Sequence, residues 1–264
     1  MCMDDTTVLP PSTAEENKKL IVELFRKAIK GKKSDTIKSN VKHDGKEGHW
    51  LEIEMGLKLN ASNSPDFLGF EMKNDTTNKT TFGDWSANYY IFTDPQYRIL
   101  RDDFLKIFGK PNEKKNGRFS WSGEPCPTIH KFNRFGQKLV VDESQNILAI
   151  YSYSEDKRSD KDRVVPENLR KDNLTLARWD AAVMRKKLEN KFNQNGWFKC
   201  LKNSDGVYAK IVFGDPINYD NWLELVKTGD VFFDSGMYQG NPRPYSQWRA
   251  TNKFWASLVT DKYE

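Results

Sequence analysis

Two carboxylates and an ammonium crowd into one short stretch of this 264-residue chain, where Pro65-Asp66 is followed by Glu71-Met72-Lys73. Carboxylate oxygens are what Mg2+ accepts, and the ion usually keeps one or two of them together with waters and phosphate oxygens. An ion held by Asp66 and Glu71 would neutralise charge building on a phosphorus centre and acidify a bound water, while Lys73 would position or deprotonate that nucleophile. The chemistry this suits is phosphodiester hydrolysis. Glu71 and the ion push the lysine's titration in opposite directions, so both roles stay open for Lys73. Read on their own, the same residues also suit a charge ladder on a solvent-facing strand. Glu52 adds a further carboxylate. It is flanked by Trp50-Leu51 and Ile53 on a short helix, where a charge near the apolar side is unfavourable unless paired or metal-bound.

The elements that must position these groups follow from periodicity and punctuation. Leu20, Ile21, Leu24, Phe25, Ala28 and Ile29 stripe a helix that opens at Thr13, with capping-box spacing to Glu16, and stops at Gly31. Residues 31–48 are polar and lysine-rich, a basic loop. His49 to Leu59 reads as a short helix, residues 60–65 as a turn, and Asp66 to Lys73 as a strand with Glu71 and Lys73 on one face. Thr80 to Phe92 predicts more strand, and Asp94-Pro95 a helix to about Phe108, stopped by Gly109. Hairpins are expected at Phe119 to Trp121, Lys138 to Val141 and Ile147 to Tyr153, then a solvated linker over residues 154–172. Leu174 to Phe192 reads as a second long helix with Leu176, Trp179, Val183 and Leu188 inward. Strand Val207 to Phe213, helix Asn218 to Lys227 and strand Val231 to Ser235 follow. Strands and helices alternate without a βαβ rhythm, which argues α+β or mixed α/β architecture.

Composition bounds the rest. Eight Trp, sixteen Phe and ten Tyr can bury a sizeable core, one or two domains in all. The 42 Lys+Arg against 37 Asp+Glu leave only +5, which serves a nucleic-acid partner if the positive charge is gathered on one face. Cys2, Cys126 and Cys200 with His43, His49 and His130 show neither Cys-x-x-Cys nor His-x-x-x-His spacing, so zinc sites and His-based hydrolysis drop out. No apolar run approaches the roughly 18 residues of a membrane span. The N-terminal residues lack the basic start and greasy stretch of a signal peptide, so a cytoplasmic protein with no membrane partner is expected.

Trp50-Leu51-Glu52-Ile53-Glu54-Met55-Gly56, Ser64-Pro65-Asp66-Phe67 and Phe70-Glu71-Met72-Lys73 together resemble the active-site segment of the MutH-like nucleases. That group of PD-(D/E)xK enzymes includes the mismatch-repair nicking endonuclease and the restriction endonucleases of the MvaI/BcnI type. The C-terminal third is similar to the MvaI/BcnI arrangement, while residues 95–170 match loosely, so the resemblance covers somewhat over half the chain. It implies a restriction-endonuclease-like α/β fold, a mixed sheet flanked by helices, in the MutH-type two-lobed form with a DNA cleft. A catalytic lobe over 1–170 and a recognition lobe over 171–264 are implied, with interleaving left open. Asp66 and Glu71 become metal ligands, Lys73 the catalytic lysine and Glu52 the additional helix carboxylate. The implied activity is Mg2+-dependent cleavage of double-stranded DNA at a specific sequence by a monomeric type II restriction enzyme. Mn2+ should substitute, and a cognate DNA methyltransferase would share the system in a prokaryotic cytoplasm. A MutH-like nickase governed by repair partners and a DNA-binding protein with a decayed site are the rivals.

Met237 to Arg249 interleaves arginines, amides and aromatics around two prolines. Arg can fork onto guanine O6 and N7 and Gln onto adenine, so Tyr238, Arg243, Tyr245, Gln247 and Arg249 are the candidate DNA contacts. Enzymes of the MvaI/BcnI type carry histidines in the corresponding loop, whereas residues 240–249 have none, which leaves the target sequence open. Apart from the resemblance, a surface loop with Tyr245 and Trp248 packed on the core fits equally. The lysine-rich segment 30–46 and Lys110, Lys114, Lys115 and Arg118 are candidates for phosphate contacts, which carry no sequence information.

Overall fold

A computed structural model describes residues 13–35, 46–56 and 64–264. In chain order the elements are α1 (Ala14–Ala28), α2 (Lys46–Glu54), β1 (Glu71–Asn74), β2 (Lys79–Asp84), β3 (Tyr89–Tyr90), α3 (Arg101–Phe108) and β4 (Lys110–Asn112). Next come β5 (Arg118–Ser120), β6 (Phe135–Val141), β7 (Ile147–Asp156), α4 (Lys161–Val164), β8 (Leu174–Trp179), α5 (Ala181–Phe192) and β9 (Trp197–Lys202). The chain ends with β10 (Tyr208–Gly214), α6 (Tyr219–Thr228), β11 (Val231–Ser235), β12 (Ser246–Thr251), α7 (Asn252–Ser257) and β13 (Val259–Tyr263). They form two compact units, both discontinuous: Met1–Asp75, Gln194–Pro216 and Val259–Glu264 make the first, Thr76–Asn193 and Ile217–Leu258 the second. The chain does not divide at 170/171, because β7 and β8, on either side of that point, pair in one sheet.

The first unit is a mixed sheet ordered β1-β9-β10-β13, with β1 and β9 parallel and the other pairs antiparallel. α1 starts where the capping box requires: Thr13 Oγ1 accepts from Glu16 N at 3.2 Å, and Glu16 Oε2 accepts from Thr13 N at 2.7 Å. Its Ile21, Val22 and Phe25 join Leu51 and Met55 against Met72, Phe198, Cys200, Ile211 and Phe213 of the sheet. Burial of each such side chain contributes about 1.5–3 kcal/mol. Leu20, part of the expected stripe, faces solvent. Because strand side chains alternate, packing Met72, Phe198 and Cys200 into this core turns Glu71, Lys73 and Lys199 to the opposite face.

The second unit holds the sheets β11-β12-β2 and β3-β8-β7-β6 and the hairpin β4-β5. Its core is aromatic: Trp248 meets Trp222, Trp179 and Phe233 with ring centroids 5.3, 5.4 and 5.4 Å apart, mostly edge to face.

Several expected elements change. Leu174 to Phe192 is a strand followed by a helix, since β8 pairs with β7 and β3 and buries Leu174, Leu176, Ala177 and Trp179. The helix expected from Asp94 begins only at Arg101, because Arg98 adopts a left-handed backbone (φ 53°). The linker at 154–172 is structured: β7 continues to Asp156, whose carboxylate is buried with Arg158, and Leu169 is in the core. Strand Thr80 to Phe92 is broken into β2 and β3 with a 3-10 turn after them. The expected features at 36–45 and 57–63, part of the basic loop, the helix end and the turn, lie outside the described residues. Among the described residues no helix is long and apolar enough to cross a membrane.

Candidate active site

A two-residue turn builds the site. Phe67 and Phe70 exchange backbone hydrogen bonds (3.0 and 2.8 Å) around Leu68 and Gly69, both at positive φ (51° and 80°), as a type I′ hairpin requires. The expected strand Asp66 to Lys73 is therefore a hairpin feeding β1. The 67–70 bridge is isolated, and from Glu71 the chain pairs with β9 instead, Glu71 N donating to Gly196 O at 3.0 Å. The Asp66 carboxylate caps the strand: Oδ2 accepts from Met72 N at 2.9 Å. Gly69 is held from outside by Asn195, whose N donates to Gly69 O (3.0 Å) and whose Nδ2 donates to Leu68 O (2.8 Å).

The turn thus sets the Asp66 carboxylate against the backbone of β1, the strand that carries Glu71 and Lys73. Lys73 Nζ donates to Glu71 Oε1 at 2.7 Å, with the two residues 9% and 2% exposed. Lys199 of β9 is the register partner of Lys73 and is as deeply buried. Its Nζ lies 3.6 Å from Asp75 Oδ1. Burial holds the Lys199 ammonium below its ordinary pKa, Lys73 adds to that, and Asp75 opposes both. Glu52 is half-buried on α2, which touches β1 and packs through Leu51 and Met55 on the Met72 side. The hard oxygen donors of Asp66 and Glu71 fit Mg2+, which takes one or two carboxylates and leaves its other positions to water and phosphate. Among the described residues no group of three or more His, Cys, Asp or Glu is arranged to hold a metal.

In the second unit the candidate DNA contacts occupy two structured places. Gln247 and Arg249 lie on β12, a central strand, and alternate with buried Ser246, Trp248 and Ala250, so both project to the face away from the aromatic core. The expectation of a loop through Arg249 fails because β12 pairs on both sides, with Asp234 and Asp84 flanking Gln247. Arg249 Nε lies 3.2 Å from Asp234 Oδ2 and its Nη2 donates to Gln247 Oε1. Arg243 pairs with Asp84 and lies over the Tyr245 ring. Tyr238 belongs to a segment zipped to β5: Trp121 N donates to Met237 O (2.9 Å) and Gln239 N to Phe119 O (3.0 Å). The Arg118 guanidinium stacks 3.4 Å from the Tyr238 ring. Trp248 is core, as the alternative reading had it, whereas Tyr245 is half-exposed.

Sequence reasoning missed Lys199, Asp75 and Asp84, whose only signal is a strand pairing remote in sequence. Cys126 and Cys200 are buried free thiols, and burial pushes Cys126 up to about 12. A cavity of about 550 Å³ in the second unit is lined by Lys106, Lys110, Arg134, Arg158 and Arg163. Its cations are largely answered by Glu124, Asp156 and Asp160.

Residues 29–263 match the LlaMI restriction endonuclease family. The type II restriction enzyme ScrFI of Lactococcus lactis subsp. cremoris is 48% identical over 268 residues, spanning 94% of this chain and 99% of that protein. Among solved structures, the restriction endonuclease MvaI in complex with its cognate DNA substrate superposes with a TM-score of 0.58 at 12% identity, over 94% of this chain and 98% of that one, a likeness of fold. The family match and the ScrFI identity agree with the resemblance read from residues 50–73, and the chain belongs to the LlaMI restriction endonuclease family: a type II restriction enzyme, hence a site-specific deoxyribonuclease, with a restriction-endonuclease-like mixed α/β fold.

Proposed function

We propose that this enzyme cuts double-stranded DNA at a short sequence, that Asp66 and Glu71 hold Mg2+, with Mn2+ able to replace it, and that Lys73 and Glu52 complete the catalytic set. The observation that supports this reading is the turn that ties the Asp66 carboxylate to Met72 N at 2.9 Å, on the strand where Lys73 Nζ lies 2.7 Å from Glu71. Bound there, the ion supplies charge neutralisation at the scissile phosphate and a more acidic water. Lys73 is already desolvated and fixed, so its ammonium can orient the attacking water and answer the charge that grows on the phosphate oxygens without rearrangement. Lys199 adds a second buried cation to the same sheet face and is itself anchored by Asp75. Tyr238, Arg243, Tyr245, Gln247 and Arg249 contribute contacts to bases, and Lys110, Lys114 and Lys115 contacts to phosphates. The enzyme acts as a monomer, one strand at a time, in a prokaryotic cytoplasm where a cognate methyltransferase protects the same sequence.

Incubation with a sequenced plasmid and Mg2+, followed by end mapping, tests this. Wild type should yield discrete fragments with one shared end sequence. Asp66→Ala should lose cleavage by roughly 10²–10³-fold or more while a gel shift shows most of the DNA affinity retained. An intact plasmid with wild type, or undiminished cutting by Asp66→Ala, would sink the assignment.

A further inference from the structure

We infer that Asp84 is a positioning residue for sequence recognition, holding Arg243 in one orientation so that the free edge of its guanidinium meets a base. This rests on the reading of the Arg243 segment as a DNA-recognition element. Asp84 closes β2 and is the register partner of Gln247. Its Oδ1 accepts from Ser246 N at 2.8 Å and from Arg243 Nη1 at 3.3 Å, and its Oδ2 accepts from Arg243 Nη2 at 2.8 Å. The Tyr245 ring lies 4.3 Å from the guanidinium carbon. One carboxylate therefore ties the start of β12 to the arginine of the preceding loop, and an aromatic ring covers that arginine's face.

A guanidinium carries five N–H donors in one rigid plane. Two of them face Asp84, which leaves Nε–H and the outer Nη hydrogens for a ligand. An arginine already fixed by a fork and a ring loses less rotamer freedom on docking to guanine O6 and N7 than one that swings free. The carboxylate also offsets the charge that would otherwise draw Arg243 to any phosphate, and phosphate contacts are blind to sequence. Arg243 is 48% exposed in its side chain against 21% for Asp84, so the arginine is presented outward from a more buried anchor. Lys187 of α5 faces the same pair. Burial first, then Arg243, hold its ammonium below the ordinary value, and Asp84 opposes them. On the same sheet Asp234 lies 3.2 Å from Arg249 Nε and also answers Lys79 at 2.5 Å.

The wild-type cut ends on a sequenced plasmid define the site, and short duplexes carrying it, or each single-pair substitution of it, are then compared in single-turnover cleavage with Mg2+. Asp84→Asn keeps an oxygen for Ser246 N but sets an amide N–H₂ where Arg243 Nη2 needs an acceptor. Preference for the intact site over at least one substituted duplex should fall about tenfold, or about 1.4 kcal/mol, through half-saturation more than through the rate at saturating enzyme. Arg243→Lys keeps the charge and removes the fork while leaving Asp84 on Ser246 N, so it should show the same loss even if Asp84→Asn fails to fold. Undiminished preference in folded Asp84→Asn, or in Arg243→Lys while Arg243→Ala is impaired, overturns the positioning role. Undiminished preference in Arg243→Ala overturns the recognition reading itself, and the positioning role with it.

Discussion

Replacing Gly69 by alanine should weaken the fold and the chemistry together. The residue sits at φ 80°, where an L side chain costs about 1–2 kcal/mol. A Cβ there would meet Asn195 Nδ2 at 2.6 Å and Cγ at 3.1 Å. That contact is relieved only if the Asn195 side chain swings away and gives up its 2.8 Å hydrogen bond to Leu68 O, a further loss of about 0.5–1.5 kcal/mol. Gly69→Ala should thus cost about 1.5–3.5 kcal/mol by urea denaturation. Asn195→Ala should cost about 1 kcal/mol alone and almost nothing on top of Gly69→Ala, because both remove the same bond. The turn also holds the Asp66 carboxylate on Met72 N, and for the proposed role of Asp66 a displacement of about 1 Å in a reacting group can cost on the order of 10²-fold in rate. Single-turnover cleavage with Mg2+, normalised to folded protein, should fall by roughly tenfold or more. Stability reduced as stated with an unchanged rate per folded molecule would refute the claim that this turn places Asp66. Unchanged stability would refute the strain argument.

The Asp156–Arg158 pair should behave as a buried unit. Arg158 Nη2 lies 2.6 Å from Asp156 Oδ2 and its Nη1 donates to Ile107 O at 2.8 Å. Arg158→Ala strands a buried carboxylate and should cost about 3–5 kcal/mol, and an unchanged denaturation midpoint would contradict it. Lys18 links α1 to Asp261 of β13 at 2.8 Å. Its ammonium is raised to about 12: burial, the largest influence, pulls it down but is outweighed by hydrogen bonds to Asp261 and Glu15. The Asp261 carboxyl is lowered chiefly by its bond to Lys18. The lysine's contribution is full below its ordinary value of 10.5 and disappears as pH rises through about 12. The aspartate's is full above its ordinary 3.8 and disappears as pH falls through its lowered value. Stability followed against pH should plateau between those limits, and Asp261→Asn should flatten the acid limb. An acid limb identical to wild type would show that the pair contributes nothing.

What could be read from residues alone was what the backbone decides locally. Thr13 and Glu16 form a capping box within one turn, and Glu71 and Lys73 share a face because strand side chains repeat every second residue. The nuclease segment was legible because its carboxylates and lysine lie close together in the chain. Leu174 to Trp179 has both helical and alternating character, and only pairing with β7 and β3 decides for strand. Lys199 and Asp84 gain meaning from partners on strands brought in by the fold, Lys73 on β1 and Gln247 on β12. The Arg243 segment could be recognised by composition. That its arginines arrive already leaning on carboxylates could not, because those carboxylates come from β2 and β11.

The four-stranded sheet of the first unit draws adjacent strands from opposite ends of a long excursion, with residues 76–193 passing through the second unit between β1 and β9. Because closing a longer loop adds only logarithmically to the entropic penalty, this interruption weighs little on equilibrium stability and heavily on folding time. A ribosome releases Asp66, Glu71 and Lys73 long before Lys199, and β13 later still. The growing polypeptide therefore carries Asp66, Glu71 and Lys73 without the neighbouring strand, so that, on the proposed assignment, cleavage waits until β9 has been made and paired.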